Sequence, residues 1–296
     1  MNEKIDIDFL FNIGVYIKRE DLIHPHISGN KYRKLKYNLI AAKNKAFDTL
    51  LTFGGAYSNH IAATAAAGNE FGFKTIGVIR GEELIEKTDE NPTLAFAKAN
   101  NMHLHFVTRE QFREKNNKNF IALLKQKFGD FYLLPEGGTN EMAIKGCEEI
   151  LTVEDKTFDI ICVPVGTGGT LAGIINSSQP HQKVIGFSAL KGDFLESDIK
   201  NWTQKTNWII TDKYSFGGYA KINQVLVEFI NQFKKETGIP LDPIYTGKMM
   251  YGISRMIEEG KISKNSRILA IHTGGLQGIS GMNQKLKSQN LPIINV

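Results

Sequence analysis

Phe158-Asp159-Ile160-Ile161-Cys162-Val163-Pro164-Val165-Gly166-Thr167-Gly168-Gly169-Thr170-Leu171-Ala172-Gly173 is the run that decides the fold. Its first half is almost wholly apolar, as a strand must be when both faces of a parallel sheet are covered. It passes directly into a glycine turn and then into a helix starting at Leu171. Consecutive N–H groups in such a turn, at a helix N-terminus, form a nest for a phosphate, and Thr167 and Thr170 add hydroxyls. The turn is not the P-loop of nucleotide hydrolases, because no Gly-Lys-Ser/Thr follows. It is not a dinucleotide fingerprint either: the glycine spacing differs, and Ser188, beyond the next strand, is no acidic ribose ligand. A small phosphate-bearing cofactor fits better than a tight βα turn that merely contains glycines.

The same grammar repeats outward from this run. Before it, Thr49 to Phe53 reads as a strand ending in Gly54-Gly55-Ala56-Tyr57-Ser58-Asn59-His60, with an alanine-rich helix from Ile61 closed by Gly68. Strands at Lys74 to Ile79 and His103 to Val107 alternate with helices from Pro92 and at Phe120 to Phe128. Pro135-Glu136-Gly137-Gly138-Thr139-Asn140 marks a boundary, followed by a helix from Glu141 to Leu151. After the run come a strand at Val184 to Ser188, a polar irregular stretch from Lys191 to Lys213, and the aromatic loop Phe216-Gly217-Gly218-Tyr219. Trp202 and Trp208 in that stretch read as packing residues. Helices at Asn223 to Lys235 and Met249 to Gly260 lead to a last core strand, Arg267 to Ile271, which ends in Thr273-Gly274-Gly275. Alternating strands and helices make this an α/β protein whose glycine-polar clusters stand at strand ends, where ligands of such folds bind.

Gly29-Asn30-Lys31-Tyr32-Arg33-Lys34-Leu35 is the remaining piece. Ser28 or Asn30 is expected to cap the helix that starts here, which puts Lys31 in its first turn, where local positive charge depresses an amine pKa. Such a lysine can form a Schiff base with an aldehyde. A lysine for an aldehyde, a nest for its phosphate, a flat amide such as Asn59 beside a ring and a hydroxyl for a ring nitrogen together describe pyridoxal phosphate.

Composition excludes several other classes. The 296 residues are 42% hydrophobic and 23% charged, as in an ordinary globule large enough for two domains. The formal charge of +5 has no basic run behind it, so nucleic acid is not an expected partner. His24 and His26 flank a proline in a loop with no acidic or cysteine cluster to complete a metal site. Two cysteines, Cys147 and Cys162, make neither a disulfide scaffold nor a metal quartet. No apolar run is long enough to cross a bilayer and the N-terminus has no signal-peptide core, so a cytoplasmic location is expected.

These blocks resemble the 1-aminocyclopropane-1-carboxylate deaminase and D-cysteine desulfhydrase family. The resemblance rests on Ser28 to Leu35, Thr52 to His60 and Gly166 to Thr170, in the family's order, and extends from Val15 to the glycines after Thr273. It implies the pyridoxal phosphate-dependent fold type II of the tryptophan synthase β subunit, with open twisted sheets flanked by helices. A large domain, residues 1–35 and 151–296, would accept a small inserted α/β domain, residues 36–150, and the resemblance implies a homodimer. The resemblance further implies that Lys31 carries the cofactor, that Gly166, Thr167, Gly168, Gly169 and Thr170 cradle its phosphate, and that Asn59 bonds its 3′ oxygen. Ser58 would bind the substrate carboxylate or act as the family's active-site hydroxyl, with the backbone as far as His60 assisting, and Tyr219 and Tyr245 match the two active-site tyrosines.

Two positions depart from the deaminase pattern. Thr246 stands where deaminases have glutamate, and Thr273 where they have leucine. Hydroxyls near a pyridine nitrogen give a milder electron sink than a carboxylate does. The expected reaction is therefore β-elimination from a small D-amino acid, D-cysteine giving pyruvate, hydrogen sulfide and ammonia. The alternative is ring opening of 1-aminocyclopropane-1-carboxylate to 2-oxobutanoate and ammonia.

Overall fold

A computed structural model describes residues 1–6, 13–192 and 194–295. In chain order its elements are β1 (Asn2–Ile5), β2 (Val15–Lys18), α1 (Asn30–Asn44), β3 (Thr49–Gly54), α2 (Asn59–Phe71), β4 (Lys74–Arg80), α3 (Pro92–Ala99) and β5 (Met102–Val107). Then come α4 (Arg109–Arg113), α5 (Lys118–Phe128), β6 (Tyr132–Leu134), α6 (Glu141–Glu148), β7 (Ile160–Val165), α7 (Gly169–Ser177) and β8 (Lys183–Ser188). The chain closes with α8 (Phe194–Lys200), β9 (Trp208–Thr211), α9 (Gln224–Thr237), α10 (Thr246–Glu258), β10 (Ile268–Ile271) and α11 (Gly278–Ser288).

The strands make two sheets. One has the order β1-β2-β10-β7-β8-β9, parallel except for the β1–β2 pair; the other, β5-β4-β3-β6, is wholly parallel. Every residue of β7 and of β3 is buried, which is why β7 is a continuous apolar run rather than an alternating one, while in β3 the buried Thr52 hydroxyl donates to Leu134 O at 3.0 Å. Behind β2, the Lys18 ammonium and the Asp155 carboxylate form a buried pair at 2.7 Å.

Strand order explains where a ligand can enter. From β7 the chain moves outward through β8 and β9, then returns to lay β10 on the other side of β7. From β3 it moves out through β4 and β5, then returns to lay β6 on the other side of β3. Each sheet therefore has a switch point at which consecutive connections diverge and leave a crevice at the strand C-termini. The crevice in the large sheet widens because the β7–β10 ladder stops at Cys162 opposite Ala270, whereas β7 and β8 stay paired to Val165 and Ser188.

The N-terminal residues form β1, an edge strand whose partner is β2. Two expectations need correction. The stretch from Lys191 to Lys213 is not irregular throughout, since it holds α8 and β9. The helix after the boundary stops at Glu148, short of Leu151.

Candidate active site

The two switch points open onto one cleft. Its wall holds Asn30, Lys31 and Lys34 of α1, Ser58, Asn59 and His60 at the start of α2, and Gly137 from the loop after β6. Pro164 to Gly168, Thr170 and Leu171 close one side, with Tyr219, Tyr245, Thr273 and Gly274 on the other. Two residues expected at the site do not line it: Gly169 and Thr246.

Lys31 enters the cleft because the chain turns sharply at Gly29. That residue lies at φ 61, and a Cβ there would fall 2.0 Å from the Thr273 carbonyl oxygen, so only glycine fits. Neither Ser28 nor Asn30 caps the helix, contrary to expectation; the N-cap is Gly29, without a side-chain bond. Asn30 instead ties the lysine to the glycine turn, accepting from Lys31 Nζ at 3.0 Å and donating to Thr170 Oγ1 at 2.8 Å. Burial, helped by the neighbouring Lys34 charge, lowers the Lys31 pKa to about 7.

Lys34 lines the same cleft, and the sequence reading passed over it. Its Nζ, buried beside the turn, donates to Gly137 O at 2.8 Å, Thr139 Oγ1 at 3.0 Å and Thr167 Oγ1 at 3.4 Å. Burial lowers its pKa to about 8. The signal available was spacing: residues three apart on a helix share a face, so whatever buries Lys31 also faces Lys34. Above it, Gly168 at φ 82 leads into α7, whose first turn has no side-chain cap. Gly169 lies behind this turn, where a Cβ would come within 2.8 Å of Thr139 Oγ1. A buried cation beside uncapped helix N–H groups is a site for an anion.

Ser58 caps α2, its Oγ accepting from Ile61 N at 3.3 Å, and Gly54 leaves room for it, since a Cβ there would meet Ser58 Oγ at 2.8 Å. The N–H groups of Asn59 and His60 open this helix and so have no partner within it. Asn59 bridges to the other side of the cleft through Gln277 Nε2, at 2.9 Å. The His60 ring lies against Gly138, and among the described residues neither of its nitrogens has a hydrogen-bond partner. Burial and the two lysines hold its pKa well below the ordinary value, so the imidazole is neutral.

Tyr219 and Tyr245 meet edge to face with centroids 6.4 Å apart, and burial raises both phenol pKa values. Thr246 is wholly buried behind them. Its Oγ1 donates to Asp242 Oδ1 at 2.7 Å and accepts from Asp242 N at 2.9 Å. The same carboxylate accepts from the backbone N–H groups of Ile244, Tyr245 and Thr246 at 2.9, 2.9 and 2.8 Å. Sequence reading took Thr246 as a position without a carboxylate; one stands directly behind it.

The sequence profile described as pyridoxal-phosphate dependent enzyme matches residues 5–274. This chain belongs to that family. Within it, the chain is 32% identical to a Pyrococcus horikoshii protein named "Putative 1-aminocyclopropane-1-carboxylate deaminase", over 95% of this chain and 92% of the relative. It is also 32% identical to the Arabidopsis thaliana "Bifunctional D-cysteine desulfhydrase/1-aminocyclopropane-1-carboxylate deaminase, mitochondrial", over 90% of this chain and 73% of that protein. A solved structure of an "ACC deaminase homologue" superposes with a TM-score of 0.83 at 29% identity, covering 97% of this chain and 93% of that one. The fold is the type II, tryptophan synthase β-like fold of this pyridoxal-phosphate dependent family, as the sequence resemblance implied.

Pyridoxal phosphate suits the residues present. The amine of low pKa takes an aldehyde, and the uncapped turn with Lys34 takes a dianionic phosphate. Among the described residues no group of three His, Cys, Asp or Glu side chains could hold a metal ion, and no helix is long and apolar enough to cross a membrane.

Proposed function

We propose that this pyridoxal-phosphate dependent enzyme deaminates a small amino acid, and that ring opening of 1-aminocyclopropane-1-carboxylate with water, giving 2-oxobutanoate and ammonia, is the reaction its site supports best. The observation that carries this reading is the Asp242 carboxylate hydrogen-bonded to Thr246. Thr246 taken alone argues for a mild electron sink and so for D-cysteine; a carboxylate held against its hydroxyl removes that argument. The names of the Pyrococcus relative and the solved homologue favour the same order.

Bound pyridoxal phosphate supplies the sink for negative charge developing on the substrate. The chain's own residues do the rest. Lys31 holds the cofactor and, once displaced, has an amine that takes or gives a proton near neutral pH. Gly166 to Thr170, with Lys34, hold the phosphate, and Asn59 serves the 3′ oxygen. Ser58 Oγ and the N–H groups of Asn59 and His60 bind the substrate carboxylate at the positive end of α2. Tyr219 and Tyr245 flank the substrate side chain. Residues 36–150 close as a small domain over residues 1–35 and 151–296, bringing Ser58 and Asn59 onto the substrate and excluding water. Two such chains form a homodimer, and sedimentation as a monomer would count against that part of the proposal.

β-Elimination from D-cysteine, with pyruvate, hydrogen sulfide and ammonia as products, is the second reading. It is favoured by Thr273, which lines the cleft with a hydroxyl where deaminases have leucine. One experiment separates the two: the cofactor-loaded protein is given the cyclopropane amino acid, D-cysteine, L-cysteine and D-serine in parallel, and 2-oxobutanoate or pyruvate is measured. A higher kcat/KM for the cyclopropane compound is expected. A higher value for D-cysteine reverses the order, and turnover of none of the four rejects the deaminase assignment.

A further inference from the structure

The turn that carries Tyr219 is strained. Phe216 and Ala220, neither of them glycine, lie at φ 54 and 53, with Gly217 and Gly218 between them at 92 and 117. Left-handed backbone at non-glycine residues persists only where the surroundings enforce it. Here the enforcing element is α10. From its first turn the Lys248 side chain, 2% exposed, donates to Ser215 O at 2.7 Å and to Gly218 O at 2.8 Å. Among the described residues no carboxylate forms an ion pair with it, so two carbonyls of one turn receive the charge. Tyr251 of the same helix packs against Phe216 with ring centroids 4.9 Å apart. Tyr245 immediately precedes α10, so one helix is the reference for both tyrosines.

We infer that Lys248 is a positioning residue for Tyr219: its ammonium ties the strained 215–220 turn to α10 and so sets the Tyr219 phenol against Tyr245 on the substrate side of the cleft. The inference rests on the proposed reading of Tyr219 as a residue that faces substrate. It follows that the number of N–H donors at position 248 matters as well as the charge. A glutamine keeps two donors without the charge and partly replaces the lysine, whereas a methionine keeps neither.

The test uses the cofactor-loaded full chain as parent, Lys248→Met, Lys248→Gln, Tyr219→Phe and the Lys248→Met/Tyr219→Phe double variant. Hydrogen exchange over residues 215–221 is expected to quicken by about tenfold in Lys248→Met and by less in Lys248→Gln, with residues 166–170 unchanged. With the cyclopropane amino acid and D-cysteine as substrates, Lys248→Met should lower kcat/KM, and the loss should not add to that of Tyr219→Phe, because residues acting through one another are non-additive. Unchanged exchange over 215–221 would overturn the inference, and so would losses that multiply in the double variant. If Lys248→Met does not fold, Lys248→Gln carries the same comparisons. If the parent turns over neither compound, the reading of the function fails, while the exchange measurement still decides whether Lys248 holds the turn.

Discussion

Lys31 and Lys34 occupy one face of α1, and burial lowers the pKa of both, to about 7 and about 8. In the unfolded chain the Lys31 amine keeps its proton up to the ordinary 10.5, whereas in the folded protein it is released from about 7 upward. The folded state thus binds fewer protons between those values, and this residue contributes stability that grows as pH rises through that window. The same neutral amine is the form that attacks an aldehyde. Capture of pyridoxal phosphate by cofactor-free protein, followed by its visible absorption, should therefore quicken with pH to a midpoint near 7 and vanish in Lys31→Ala. A midpoint near that of an exposed lysine would refute the assignment. Lys31 stood out in the sequence only together with the glycine turns elsewhere in the chain, since a lysine after a Gly-Asn pair means little alone, and the structure places it in the cleft with them. Lys34 did not, because a lysine in a basic helix reads as solvated until the neighbouring chain is known to cover it.

The start of α10 is the element on which the site depends most. Asp242 accepts from three backbone N–H groups and one hydroxyl, so Tyr245 and Thr246 are placed by a single carboxylate. Burial raises its pKa and these bonds oppose the rise. Asp242→Ala would leave those donors unpaired in the interior and should cost on the order of 3 kcal/mol in chemical denaturation. A loss below about 0.5 kcal/mol, the scale of an ordinary surface substitution, would show that the carboxylate is not needed there. The sequence carried a hint, since an acidic residue just ahead of a helix commonly caps it. The hint went unread because Thr246 was compared with glutamate at its own position, while the carboxylate arrives four residues earlier. The glycine turns, by contrast, were legible from order alone. The short edge strands β1 and β9 were not, because four residues, mostly polar in β1 and mostly apolar in β9, show too little of a period to distinguish a strand from a loop.

For the molecule as a whole, hydrophobic periodicity announced strands and helices in sequence but not which strands lie side by side. The two switch points exist only in the folded order, so the cleft onto which they open cannot be read from the succession of elements along the chain. That order has a consequence for how the protein is made. β10, near the end of the chain, is the strand between β2 and β7, so the large sheet has a gap at its centre until residues 268–271 have left the ribosome. The small sheet needs nothing beyond β6 and can close far earlier. Ribosome-stalled chains ending near residue 200 should accordingly yield a protease-resistant fragment spanning 36–150 and no resistant fragment from 151 onward. Simultaneous protection of both regions only at full length would contradict this order. During synthesis, then, the half of the site bearing Ser58 and Asn59 waits in folded form, while the phosphate turn, made next, stays without its neighbour strand until the final stretch of chain arrives.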